Sequence, residues 1–279
     1  MERPDMLYSE ARNLAEEHRT IVYKRSVNRD FLKIEEDSRI LLNAYREINE
    51  QVKAKQEIIP AAEWLLDNFY MVEEQSKQIQ HELPRNFREL PILESGIPRV
   101  YEIAEGIVSY RSGQLEEEPI IGYLKEYQSV TPLNNGELWI LPLMIKVSLI
   151  KKIRERAADI VEYQKQKNHG RKWGALLVEK VDAPGEELQT FIMEHDREVG
   201  YMLPSSAEGM LRVFRDSGSK GTSLLMWLDG KLALQGTNAD ELIQTVREQQ
   251  SDYQVSIGNY IISLKFLLSI RWEEIFEEL

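Results

Sequence analysis

Cysteine is absent from this chain of 279 residues, and histidine occurs only four times. Without a thiol the protein has no disulfide framework and no thiolate chemistry, which fits a reducing compartment such as the cytoplasm. The histidines are scattered: His18, His81, His169 and His195. His195 has acidic neighbours on both sides, but adjacent side chains on a helix diverge by roughly 100° and cannot converge on one ion. The sequence therefore predicts no metal site and no cofactor.

The chain also lacks an excess of positive charge and a long apolar run. Its net charge of −12 argues against binding a nucleic acid backbone or an anionic membrane surface. The best apolar candidates, residues 138–150 and 257–270, are shorter than the about 20 residues that a transmembrane helix needs, and both contain polar side chains. Residues 1–19 contain acidic residues where an export signal would need an apolar core. We therefore expect a cytoplasmic chain with no nucleic acid partner and no membrane span.

Sustained strand-like alternation is missing, whereas helical periodicity runs through the whole sequence. One apolar stripe recurs at spacings of four, three and four: Leu41, Tyr45, Ile48 and Val52. A long helix is predicted after Asn135, and Pro142 inside it should remove one backbone hydrogen bond and kink the helix. The sequence thus predicts an all-α protein, an irregular multi-helix bundle with long helices, one of them kinked near Pro142. The predicted core includes Trp64, Leu65, Phe69 and Trp139.

Two polar, glycine-bearing stretches suggest how the chain divides. Residues 164–170 and 216–222 have the composition of linkers. A chain of this length is near the size at which a single core splits. We predict an N-terminal helical bundle over residues 1–167 and a C-terminal helical segment over residues 168–279, with the alternative that the last helix packs back to give one continuous domain.

Three dense blocks of sequence carry a family resemblance. They are AAEWLLDNFYMVEEQ (61–75), TPLNNGELWILP (131–142) and QVSIGNYIISLKFLLSIRWEEIFEE (254–278), with a proline- and arginine-bearing connector between the first two. In this order and at this spacing they resemble the N-terminal, mainly helical region of cyclic β-1,2-glucan synthases. The resemblance covers roughly residues 30–279. It implies a large membrane-bound bacterial parent enzyme, a glucosyltransferase that polymerises glucose from a nucleotide sugar and closes the glucan into a ring.

The resemblance also implies a region without the catalytic apparatus of that parent. Sugar transferases of this class usually hold the metal–nucleotide with Asp-x-Asp, which occurs nowhere in the chain. Their Gln-x-x-Arg-Trp pattern is incomplete, because Leu268 stands where the glutamine would precede Arg271 and Trp272. We therefore expect a non-catalytic accessory or scaffolding region on the cytoplasmic side of the membrane, with other domains of the synthase or another protein as partners.

One acidic pair keeps an enzymatic alternative open. Glu63 and Asp67 lie one helical turn apart in the first block. Two carboxylates at a suitable separation are the groups that cleave glycosidic bonds. An independent glycan-acting enzyme could use this pair, helped by Glu137. A third alternative is a free-standing helical adaptor that binds another protein.

The same acids have a structural interpretation. Arg85, Arg88 and Arg99 lie on a connector over residues 83–99 that contains three prolines, so it should be a stiff, non-helical strap. Arginine forms planar, bidentate contacts with carboxylates. We favour a clamp in which these arginines hold the strap on Asp67 and its neighbours.

Aromatic residues provide a candidate contact surface if the acids are structural. Tyr70 and Tyr101 would then be the exposed aromatic side chains for a partner protein or a glycan. Aromatic residues at helical spacing belong more often to a core than to a sugar site, so glucan binding is the weaker alternative.

Overall fold

The computed structural model describes residues 4–20, 32–83, 90–181 and 202–279, together with Thr190 and Ile192. Ten helices make up the regular structure of the four described ranges, with one 3₁₀ turn at Tyr110–Gly113. They are α1 (Pro4–Thr20), α2 (Ile34–Lys53), α3 (Pro60–Glu82), α4 (Arg99–Ser109), α5 (Glu117–Gln128), α6 (Asn135–Lys180), α7 (Pro204–Asp216), α8 (Ser219–Leu234), α9 (Ala239–Leu267) and α10 (Trp272–Glu278). The predicted all-α class is confirmed.

The chain divides into two compact units. The first contains Met1–Gln56, Ala61–Ala158 and Gln254–Leu279, and the second contains Glu57–Pro60 and Asp159–Tyr253. Both boundaries in the second half of the chain fall inside long helices, α6 and α9. The domain boundary predicted after residue 167 stays a prediction.

Both predicted linkers differ from the structure. Helix α6 continues without a break through residues 164–170, so the linker predicted there is wrong. Helix α7 ends at Asp216 and α8 begins at Ser219, so only two residues separate them. One is Gly218, whose φ of 58° favours glycine.

Pro142 lies in the first turns of α6. The bend expected there stays a prediction.

In the first unit, helix α1 is held on α4 and α5 by a buried histidine. His18 Nδ1 lies 2.7 Å from the Tyr127 hydroxyl, and His18 Nε2 lies 3.1 Å from a carboxylate oxygen of Glu102. The Thr131 hydroxyl donates to the carbonyl of Ala15 over 2.7 Å. Since buried polar groups need partners, these contacts fix the position of α1 as well as its register.

Helices α2 and α3 bury apolar stripes, as their periodicity predicts. Leu41 and Ile48 of α2 are buried, as are Leu65 and Phe69 of α3. An ion pair of 3.1 Å between Arg154 Nε and Asp37 ties α6 to α2.

The C-terminal half of α9 also belongs to the first unit. The Ser263 hydroxyl donates to the carbonyl of Gly113 over 2.6 Å and accepts the amide of Leu115 over 2.9 Å. Gly113 has φ +83°, and a Cβ at this position would lie 2.1 Å from the Tyr260 ring. Glycine is therefore required there for both backbone conformation and space.

In the second unit, α6 and α7 approach each other closely through glycine. A Cβ on Gly170 would lie 1.9 Å from the carbonyl oxygen of Ser206, and one on Gly209 would lie 2.3 Å from the carbonyl oxygen of Lys167. Gly174, one turn after Gly170, faces Val213. These small residues let the two backbones come together, which explains why a glycine stands inside the polar stretch that resembles a linker.

Candidate interaction surface

The acidic pair favoured by the enzymatic alternative lies on the surface. Glu63 and Asp67 are both exposed on α3. Among the described residues, no side chain forms a hydrogen bond or ion pair with either carboxylate. A glycosidase needs its two carboxyl groups held on opposite sides of the scissile bond. The described contacts supply no group that would hold them in this way.

Glu137, the third acid of that alternative, has a different environment. It is fully buried, and its two carboxylate oxygens accept bidentate hydrogen bonds from Arg99, at 2.6 Å from Nε and 2.7 Å from one terminal nitrogen. Arg99 also donates to the carbonyl of Pro132 over 2.8 Å. Such a bidentate pair is among the strongest ionic contacts in proteins. Glu137 therefore holds α4 to the start of α6 and has no free face for a substrate.

Glu137 is also half of a helix cap. The Asn134 side chain accepts the backbone amide of Glu137 over 2.9 Å, and the Glu137 carboxylate accepts the backbone amide of Asn134 over 3.0 Å. This reciprocal arrangement is a capping box, which satisfies two amide groups at the start of a helix. The start of α6 and the Arg99 ion pair consequently depend on a single carboxylate.

Arg99 is the arginine of the predicted clamp that the structure describes, and it binds an acid other than Asp67. Arg99 binds Glu137, whereas the prediction placed it on Asp67. Arg85 and Arg88 lie outside the described residues, so a contact between Asp67 and either of them stays a prediction. Residues 90–98 of the connector are non-helical as expected: the amide of Leu93 donates to the carbonyl of Ile97 over 2.8 Å, which closes a tight turn.

The two tyrosines proposed as contacts differ in accessibility. Tyr70 is 70% exposed and lies edge-on to Tyr45, which stacks on Phe69 at a centroid distance of 4.2 Å. Tyr101 is 3% exposed, and its hydroxyl donates to Glu105 over 2.9 Å. Burial raises the pKa of Tyr101 well above its ordinary value. The expectation that Tyr101 is exposed is wrong, and Tyr70 is left as the accessible member of the pair.

Trp139 was predicted to be buried, but it is exposed. It is 74% exposed on α6, so its predicted place in the core is wrong. The other predicted core residues, Leu65 and Phe69, are buried and Trp64 is half-buried. Trp139 lies on the solvent side of α6, two residues after the buried Glu137.

Within the described ranges, no group of three or more metal-ligating side chains could hold an ion. In the same ranges, no helix has both the length and the apolar composition that crossing a bilayer requires.

Helix α8 is apolar on two opposite sides. One face of α8 packs in the second unit through Leu224, Leu228 and Leu232, which recur every four residues and are buried. At Gly221 the backbone passes so close to α7 that a Cβ would lie 1.8 Å from the carbonyl oxygen of Phe214. The three leucines and Gly221 therefore bury one side of α8.

The opposite side of α8 is also apolar, but the described residues do not cover it. Met226 is 68% exposed and Leu234 is 84% exposed, Trp227 is half-buried, and Gly230 and Ala233 are exposed. At about 100° per residue, these five positions fall within an arc of about 120°. The other α8 residues in this arc are two serines, Ser219 and Ser223, so the arc contains no charged side chain. We call the five residues Met226, Trp227, Gly230, Ala233 and Leu234 the α8 face.

Sequence reasoning missed this face although its signal is present. The segment LLMWLDGKLAL (224–234) has apolar residues on both sides of the predicted helix. A helix that is apolar all round is normally buried on all sides. The α8 face is open in the described structure, which is the situation expected of a surface that another protein covers.

No protein-family profile matches the chain. A curated protein does match it. Over 246 residues the chain is 28% identical to the cyclic beta-(1,2)-glucan synthase NdvB of Rhizobium meliloti (strain 1021), and the match includes 87% of this chain. The chain is similar to a segment of a cyclic β-(1,2)-glucan synthase. The resemblance inferred from the three sequence blocks is therefore confirmed.

The similarity to NdvB is regional. The matched segment makes up 8% of the length of NdvB. The remainder of that synthase has no counterpart in this alignment.

Proposed function

We propose that this chain is a non-catalytic helical region that serves cyclic β-1,2-glucan synthesis by binding another part of the synthase through the α8 face. The observation that supports it most is the 28% identity to a segment of NdvB over 87% of this chain. The partner is then a synthase polypeptide outside the matched segment, on the cytoplasmic side of the membrane.

Three structural observations support a binding role over catalysis. The acids Glu63 and Asp67 are exposed without a described partner, and Glu137 is taken up by Arg99 and by the start of α6. The α8 face, in contrast, presents large apolar side chains with no charge among them. Aromatic residues and methionine are enriched in the buried core of protein interfaces, and charged residues are depleted there.

We expect the purified chain neither to hydrolyse β-1,2-glucan nor to transfer glucose from a nucleotide sugar. The reason is that its exposed acids lack partners that would set their positions. Glucan chain length and nucleotide release should match a blank without protein. Turnover that disappears in Glu63→Gln or Asp67→Asn would contradict the proposal and support an independent glycan-acting enzyme.

We expect Met226→Asp to weaken binding of the chain to the remaining synthase polypeptide at least tenfold. A charge placed within an apolar interface must be desolvated without a partner. Biolayer interferometry with the synthase lacking the matched segment would measure it.

Met6→Asp is the matched control, because Met6 is 56% exposed on α1 in the first unit. It should bind as the unmodified chain does. Equal affinity of all three proteins, with unchanged circular dichroism, would contradict the α8 face as the binding surface. Selective loss in a Tyr70→Asp variant would instead favour the aromatic surface on α3.

A further inference from the structure

The second unit contains a cleft lined by both apolar and charged side chains. Its volume is about 370 Å³, within the 300–1,000 Å³ typical of small-molecule sites. Its apolar wall is formed by Leu211, Ile243 and Val246. Four basic residues line it: Lys167, Arg212, Arg215 and Arg247. Four cations in one cleft are unexpected in a chain of net charge −12.

Two of the four cations are already neutralised. Lys167 is buried, and its Nζ lies 3.1 Å from a carboxylate oxygen of Glu208. Arg212 donates to Glu57, which also accepts a hydrogen bond from Arg171. The hydrogen bond from Arg212, followed by that from Arg171, lowers the pKa of Glu57 to about 2, so this acid is ionised at neutral pH.

The other two cations lack such partners. Arg215 on α7 and Arg247 on α9 both line the cleft, and in the described part of the chain neither forms a hydrogen bond or an ion pair. Asp216 is the one lining acid that no described cation binds. After the paired groups are set aside, two guanidinium groups and one carboxylate leave the cleft with a net positive charge.

We propose that this cleft binds a small phosphate-bearing anion, with the guanidinium groups of Arg215 and Arg247 donating to its phosphate oxygens. A guanidinium group offers a planar fork of donors that matches phosphate oxygens, and two forks match an anion with two or more negative charges. The overall negative charge of the chain disfavours a long polyanion, whereas the size of the cleft suits a small molecule.

Titration of the full chain with inorganic pyrophosphate, followed by calorimetry at constant ionic strength, tests the proposal. We expect one site with a Kd below about 1 mM. The double variant Arg215→Gln/Arg247→Gln should bind at least tenfold more weakly. Both arginines are exposed and form no described contact, so the variant should fold, and each single variant provides a check. Arg39→Gln removes an exposed arginine of α2 and should leave the affinity unchanged.

Three results would overturn the assignment. One is the absence of heat above dilution at 10-fold the expected Kd. Another is an equal loss of affinity in Arg39→Gln, which would indicate nonspecific charge attraction. The third is binding of an acidic peptide by the same two arginines without binding of pyrophosphate, which would make the cleft a protein contact. The Met226→Asp variant should bind pyrophosphate normally, so the outcome does not depend on the α8 face.

Discussion

Replacing Glu137 by alanine is expected to lower the free energy of unfolding by about 3–5 kcal/mol, the range for breaking one side of a buried ion pair. The substitution leaves the Arg99 guanidinium group buried without its carboxylate, and it also removes the acceptor of the Asn134 amide. Urea denaturation followed by circular dichroism measures the change. Glu63→Ala removes an exposed acid without a described partner and should change the midpoint little.

The loss should be partly reversed in a double variant. Replacing both charged partners by apolar residues, as in Arg99→Met with Glu137→Leu, removes the unpaired charge and can be nearly neutral when volume is conserved. A double-mutant cycle isolates the coupling between the two positions. Additive losses would show that Arg99 and Glu137 act independently and that the hydrogen bonds between them do not hold α4 on α6.

Replacing Gly170 by alanine should destabilise the chain by about 1–3 kcal/mol, the cost of forcing extra volume into a well-packed contact. A Cβ there would lie 1.9 Å from the Ser206 carbonyl oxygen, so α7 would have to move away from α6. Gly230→Ala is the matched control, because beyond its chain neighbours and the nearby backbone of its own helix no atom lies within 4 Å of its Cβ position. Alanine should stabilise that exposed helical position by about 0.5–1 kcal/mol.

Thermal unfolding gives the melting temperatures of the two glycine variants. Both substitutions gain the same intrinsic helix propensity, so the difference in their melting temperatures measures the close approach of α6 and α7. If Gly170→Ala melts as high as Gly230→Ala, the two backbones are farther apart than described, and a linker role for residues 164–170 would need to be reconsidered.

The sequence predicted the helices better than it predicted their contacts. Periodicity identified the apolar stripe of α2 and the buried residues Leu65 and Phe69 of α3, because a helix face is determined by local spacing. Gly170 was misinterpreted because glycine among polar residues marks a linker and a close helix contact alike. Only the position of Ser206 on another helix distinguishes the two.

The candidate surfaces show the same limit. The Asn134-x-x-Glu137 cap could have been recognised from its spacing, and a glutamate in a cap is a poor choice for catalysis. Its pairing with Arg99 could not, because 38 residues separate the two. Trp139 and Tyr101 exchanged their expected exposure, since aromatic residues suit a core and an interface equally.

The binding role of the α8 face is tested most directly by a photo-crosslinking amino acid introduced at Met226 in cells that make cyclic β-1,2-glucan. The same amino acid at Met6, which is also exposed, serves as the control. Mass spectrometry would identify the crosslinked peptides. We predict crosslinks from position 226, and not from position 6, to synthase peptides outside the segment similar to this chain. Equal labelling from both positions, or labelling from position 226 that never includes a synthase peptide, would contradict the account.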